Sequence, residues 1–142
     1  MSDTQEILEL IDEAIAVRER AYAPYSGIRM GAIVIDQDGR RSAGVNVENA
    51  SYGLTVCAER NAVAAAVQAG MTRMTALAVV SDMDEPVSPC GACRQVIAEF
   101  AAPDARIILA NLRREYRVFT PDGLLPYVFS LKEAKEPGDG AR

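Results

Sequence analysis

The sequence predicts an α/β fold, a three-layer α/β/α sandwich around a central mixed five-stranded sheet. Two observations carry this. Helix-like and strand-like segments follow one another in the order α-β-β-α-β-α-β-β, and strands alternating with helices build a sheet covered on both faces. Two of the strands are joined by Asp36-Gln37-Asp38-Gly39, and Asp-Gly is a strong hairpin signal, so one edge of the sheet is antiparallel.

The elements follow in order. Ser2 or Asp3 can cap a helix running to about Ala21, with Ile7, Leu8, Ile11, Ala14 and Ile15 on one stripe. Pro24 and Gly27 end it. Residues 30–35 are apolar and β-branched, a strand, and 41–47 return as its hairpin partner. Residues 46–52 are polar and irregular. Residues 57–69 are rich in alanine at helical spacing and end at Gly70, a common helix stop. So much alanine predicts a helix packed closely on a sheet. Residues 75–81 are a buried strand, 82–89 a loop, and 91–101 a second alanine-bearing helix stopped before Pro103. Residues 106–111 and 116–120 are the last strands, and 121–126 a turn or short helix. One domain is expected over 1–135. The Pro, Gly and charge of 136–142 predict a disordered tail.

Composition narrows the chemistry. The chain has 142 residues, no histidine and three cysteines. A Ser-His-Asp or Cys-His mechanism lacks its general base. Any zinc must be held by thiolates or carboxylates. Hydrophobic residues at 49% and charged residues at 25% are ordinary for a globular protein, and a chain this long buries roughly two thirds of its unfolded surface without staples. Three cysteines cannot all pair within one chain, so reduced thiols and a cytoplasmic setting are expected. No apolar run approaches the roughly 18 residues of a membrane span, and the first twelve residues are too acidic for a signal peptide. A net charge of −5 without a basic tract argues against nucleic acid.

All three cysteines fall at expected helix starts. Cys57 opens the second helix, and Cys90 and Cys93 flank the start of the third. A C-x-x-C pair spans one helical turn, so both sulfurs can reach one ion. A helix N-terminus offers free N–H groups and a positive dipole end, which favour thiolate, the zinc-binding form. Other readings stand beside this one. A buried cysteine is usually a small hydrophobe, and a lone C-x-x-C also suits a redox dithiol. Glu59 sits in the first turn after Cys57, either complementing the helix dipole or acting as a general base beside an activated water. Three ligands leave tetrahedral zinc one open position, the catalytic arrangement, whereas a structural site wants a fourth.

Cys-x-Glu followed by Pro-Cys-x-x-Cys matches the zinc deaminase signature. The fuller pattern is Asn46-Val47-Glu48-Asn49-Ala50-Ser51-Tyr52, then Cys57-Ala58-Glu59-Arg60, then Ser88-Pro89-Cys90-Gly91-Ala92-Cys93-Arg94-Gln95. It resembles the small homotetrameric zinc-dependent cytidine deaminases over about residues 22–129. The resemblance implies one Zn²⁺ per chain on Cys57, Cys90 and Cys93, with Glu59 as the proton shuttle. It implies Asn46 and Glu48 on the ribose, and the backbone at Ala58 and Cys90 on the base. It also implies that Arg60 donates to ligand sulfurs, offsetting the charge of three thiolates. Leu124, Leu125, Pro126 and Phe129 match a C-terminal pattern that reaches a neighbouring site, and Tyr52 reaches across too. The partners implied are a nucleoside and copies of the same chain in a tetramer, with neither nucleic acid nor membrane. Where the family usually has Phe and Val, this chain has Ile28 and Met30. The lost aromatic face costs about 1 kcal/mol of stacking and widens the pocket. An alternative substrate, another small aminated nucleoside or heterocycle, stays open, as does a non-catalytic zinc module.

Overall fold

Ser2 caps the first helix, α1 (Asp3–Arg18). Its hydroxyl accepts the Gln5 N–H at 3.2 Å, and the Gln5 side chain accepts the Ser2 N–H at 2.9 Å, satisfying two otherwise orphaned donors. The computed structural model describes residues 2–132; the tail expected at 136–142 lies outside the described residues. α1 stops short of Ala21, because Tyr22 bridges to Val47 in extended form and donates to the Asn46 carbonyl at 3.0 Å. Its buried stripe is Ile7, Leu10, Ile11 and Ala14. Leu8 and Ile15, expected on that stripe, are partly buried at its margin.

The hairpin pairs β1 (Met30–Asp36) with β2 (Arg41–Val45). Gly39 in its turn has φ 83°, a conformation glycine adopts without steric cost. A 3₁₀ turn (Tyr52–Leu54) then leads to α2 (Ala58–Gln68), β3 (Met74–Ser81), α3 (Gly91–Phe100), β4 (Ala101–Asn111) and β5 (Tyr116–Phe119). A short helix, α4 (Pro121–Leu124), follows, with the Thr120 hydroxyl accepting the Gly123 N–H. β2 ends two residues before the expected position, as Val47 turns to bridge with Tyr22 and Val56. β4 starts five residues earlier than the expected Arg106. Pro103, which cannot donate to the ladder, falls where the register with β3 slips between Met74 and Ala76, so the strand absorbs it.

The sheet order is β2-β1-β3-β4-β5. β3 and β4 are parallel and the other neighbours antiparallel, so the sheet is mixed. Alternate residues face opposite layers. Ile33, Ile35, Ala76, Ala78, Val80, Ile108 and Ala110 pack on α1. Ala32, Val34, Leu77, Val79, Ile107 and Leu109 pack with residues of α2, α3 and α4. The three-layer expectation is therefore met. Two glycines let helices sit very close. A Cβ at Gly31 would collide with the Ala14 carbonyl oxygen, and one at Gly44 with the Ala62 nitrogen and the Ala58 carbonyl oxygen. Among the described residues no helix is long and apolar enough to cross a membrane.

Candidate metal centre and active site

Close packing of α2 and α3 on one face of the sheet brings their first turns together. Cys57 is the N-cap of α2 and Cys90 the N-cap of α3, and neither side chain is spent on a capping hydrogen bond. Cys93 lies one turn into α3 and is fully buried. The three sulfurs lie within 4.8 Å of one another, with Cys90 and Cys93 3.5 Å apart. The Cys57 thiol is held down to about 5. A hydrogen bond from the Cys93 thiol is the main cause, and the Arg60 guanidinium adds to it against the effect of burial. Cys93 is pushed up by the same hydrogen bond, by burial, and by the negative charges of Glu59 and Cys57. Sulfurs gathered at two helix N-termini, one of them readily ionised, fit a thiophilic cation.

Glu59 sits in the first turn of α2, only 3% exposed. Burial pushes its carboxyl up, and the Cys57 charge does the same. Its own N–H, the Cys93 thiol and Arg60 pull the other way without prevailing. Its Oε1 is buried without a hydrogen-bond partner. Such a group is costly unless it is partnered. Arg60 Nη2 donates to the Cys57 sulfur at 3.6 Å and to the Thr55 carbonyl at 3.4 Å.

Asn46 and Glu48 follow β2 and hold the segment ahead of β1. Asn46 donates to the Ile28 carbonyl and accepts the Met30 N–H, both at 2.8 Å. Glu48 accepts the Tyr25 and Ser26 N–H groups at 3.0 and 3.1 Å, and the Ser26 hydroxyl. Those bonds, led by the Ser26 hydroxyl, hold its carboxyl below the usual carboxylate range. Ile28 is half-buried on this segment. Tyr25 and Tyr52 meet edge to face with centroids 6.3 Å apart, and they line a cavity of about 390 Å³ with Ser26, Glu48 and Thr55. Ala58 is fully buried, and Phe129 is exposed with its carbonyl held by Gln95 at 3.1 Å. The structure thus gathers Cys57, Cys90, Cys93, Glu59 and Arg60 in one cluster. Asn46, Glu48 and Ile28 form a second group around the 25–30 segment. Sequence reasoning missed Ser26 as the partner of Glu48, and nothing in the local sequence signals a contact across 22 positions.

A family model described as the cytidine and deoxycytidylate deaminase zinc-binding region matches residues 4–110. The cytidine deaminase of Halalkalibacterium halodurans is 46% identical over 127 residues, 89% of this chain and 96% of its own length. That of Mycobacterium tuberculosis is 46% identical over 113 residues, 80% of this chain and 81% of its own. The crystal structure of cytidine deaminase from Burkholderia pseudomallei is similar with a TM-score of 0.83 at 44% identity, covering 91% of this chain and 100% of that one. That from Mycobacterium tuberculosis gives 0.77 at 37% identity, covering 92% and 100%. The matched span runs from α1 almost to the end of β4 and encloses every cysteine. The thiol cluster therefore falls inside a zinc-binding region, and the chain belongs to the family of zinc-dependent cytidine and deoxycytidylate deaminases.

Proposed function

We propose that the chain hydrolyses cytidine, deoxycytidine or both to the corresponding uridine and ammonia, in cytoplasmic pyrimidine salvage. A single domain over 1–135 carries the activity. The observation that carries the reading is the orphaned, buried Oε1 of Glu59 beside three converging sulfurs. Cys57, Cys90 and Cys93 would hold one Zn²⁺. Zinc supplies, when bound, the Lewis acidity that makes a water nucleophilic near neutral pH.

Glu59 would take a proton from the attacking water and deliver it to the pyrimidine ring nitrogen. The water oxygen bonds to the ring carbon bearing the amine. Glu59 then carries the second water proton from the newly added hydroxyl to the amine as the carbon–nitrogen bond breaks, so ammonia leaves and the ring carbon becomes a carbonyl. A carboxyl raised by burial is suited to moving protons in both directions. Asn46 and Glu48 take the sugar hydroxyls, a sugar O–H replacing the Ser26 hydroxyl on Glu48. The backbone at Ala58 and Cys90 holds the base, with Ile28 and Tyr52 around it. Arg60 offsets the thiolate charge through the Cys57 sulfur. Exposed Phe129 and Tyr52 reach a neighbouring site in a homotetramer.

Ile28, aliphatic where a ring would stack on the base, favours a second reading, a bulkier or otherwise modified aminated nucleoside. Ammonia release from cytidine, deoxycytidine and a panel of analogues decides between them, with Glu59→Gln run alongside. Glu59→Gln is expected to lose on the order of 10²–10⁴ in turnover. A fully active Glu59→Gln refutes the mechanism, and an inert panel refutes the substrate class. The same assay across a dilution series, read with sedimentation, is expected to lose activity as the assembly dissociates. Activity that survives in the monomer excludes shared sites.

A further inference from the structure

Arg94 follows Cys93 on α3 and is half-buried. Its guanidinium donates in three directions. Nε reaches the Pro89 carbonyl at 2.8 Å, Nη2 the Ser88 hydroxyl, and Nη1 the Leu124 carbonyl. Its main-chain N–H also donates to the Cys90 carbonyl at 3.0 Å. Two of the side-chain acceptors therefore lie immediately ahead of Cys90, and the third lies on the C-terminal segment. The next residue, Gln95, holds that same segment at the Phe129 carbonyl.

The three sulfurs are not equally supported. Cys93 is locked inside a helix and fully buried, and Cys57 has the Arg60 guanidinium beside it. Cys90 is exposed and stands where the 82–89 loop enters α3. Its position depends on what fixes the peptide ahead of it. A planar guanidinium with several fixed donors can bind three acceptors at once, which a lysine ammonium on a flexible stem does poorly.

We propose that Arg94 is a positioning residue. By clamping Ser88 and Pro89 it sets the Cys90 sulfur against those of Cys57 and Cys93, and it locks the C-terminal segment to the same clamp. This rests on the zinc reading given above. Residues that orient metal ligands from behind typically cost 10–100-fold in metal affinity when removed.

The test is zinc release from the intact protein to a chromophoric chelator, with the absorption spectrum of the cobalt-substituted protein beside it. Ile11→Val, in the opposite layer, controls for a general loss of stability. Arg94→Gln is expected to release zinc about tenfold faster or more, to alter the cobalt bands, and to leave the far-ultraviolet dichroism of a folded protein. Arg94→Lys is expected between parent and Arg94→Gln. If Arg94→Gln does not fold, Arg94→Lys decides alone. Release from the folded variant within twofold of the parent overturns the proposal, as does a cobalt spectrum superimposable on the parent's. The same acceleration in Ile11→Val overturns it as well. A parent that holds no zinc overturns the zinc reading and this inference with it, whereas zinc held equally by parent and variants overturns this inference alone.

Discussion

Glu59, Glu48 and Asp36 are carboxylic acids in three different surroundings. Burial beside sulfurs raises the first, and the Ser26 hydroxyl lowers the second. Asp36, the last residue of β1, is 3% exposed. Burial alone would raise its carboxyl. The Asp38 and Arg40 N–H groups, each 2.9 Å from Oδ1, and Arg40 Nε, 2.9 Å from Oδ2, together outweigh that and lower it below 3.8. The folded chain therefore binds this proton more weakly than the unfolded one, and ionised Asp36 stabilises the fold. That contribution is complete well above 3.8 and fades as the pH falls through 3.8 toward the lower folded value. Unfolding midpoints between neutral pH and pH 3 check this. Asp36→Asn is expected to melt lower at neutral pH and to lose less on acidification, and parallel curves would contradict it. Legibility at this scale follows sequence distance. Cys57 with Glu59, and Cys90 with Cys93, are readable because each pair sits within one helical turn. Ser26 with Glu48, and Arg94 with Leu124, are not, because only the finished fold brings them together.

At the scale of elements, the strands are readable where apolar β-branched runs are continuous, as in Ile33-Val34-Ile35 and Val79-Val80. Their ends are not, because tertiary pairing sets them. The Tyr22–Val47 bridge ends α1 early, and a register slip carries β4 through Pro103. The alanines of α2 predict close packing, and Gly44 on β2 is its counterpart, admitting the helix main chain at Ala58 and Ala62. Ala58 stands between Cys57 and Glu59, and Ala62 lies about one turn further along the same helix. Gly44→Ala is thus expected to cost about 1–3 kcal/mol through overpacking and to reduce zinc retained per chain, since α2 must retreat with its ligand. Gly53→Ala, whose Cβ meets nothing within 4 Å, is expected to stay within about 0.5 kcal/mol. Chemical denaturation with zinc analysis compares them, and equal stabilities would refute the contact argument.

Across the whole molecule, the order of helices and strands is enough to read three layers, and alternation along each strand assigns its faces. The order of neighbours in the sheet is not readable. That β1 lies between β2 and β3 depends on how the α2 connection crosses the sheet, which no local pattern encodes. That connection has a consequence for the chain as a polymer. Cys57 and Cys90 are 33 positions apart, with all of α2 and all of β3 between them. An ion held by both closes this span into a ring. Ring closure restricts the unfolded chain, a contribution on the order of 3–4 kcal/mol for a loop of this size. Chelating the zinc is therefore expected to lower the unfolding midpoint well beyond Glu59→Gln, which leaves the ring closed. Equal midpoints with and without zinc would show that the ring carries no weight. An ion that serves the chemistry would then also be a cross-link, and metal starvation of this chain a folding problem as well as a catalytic one.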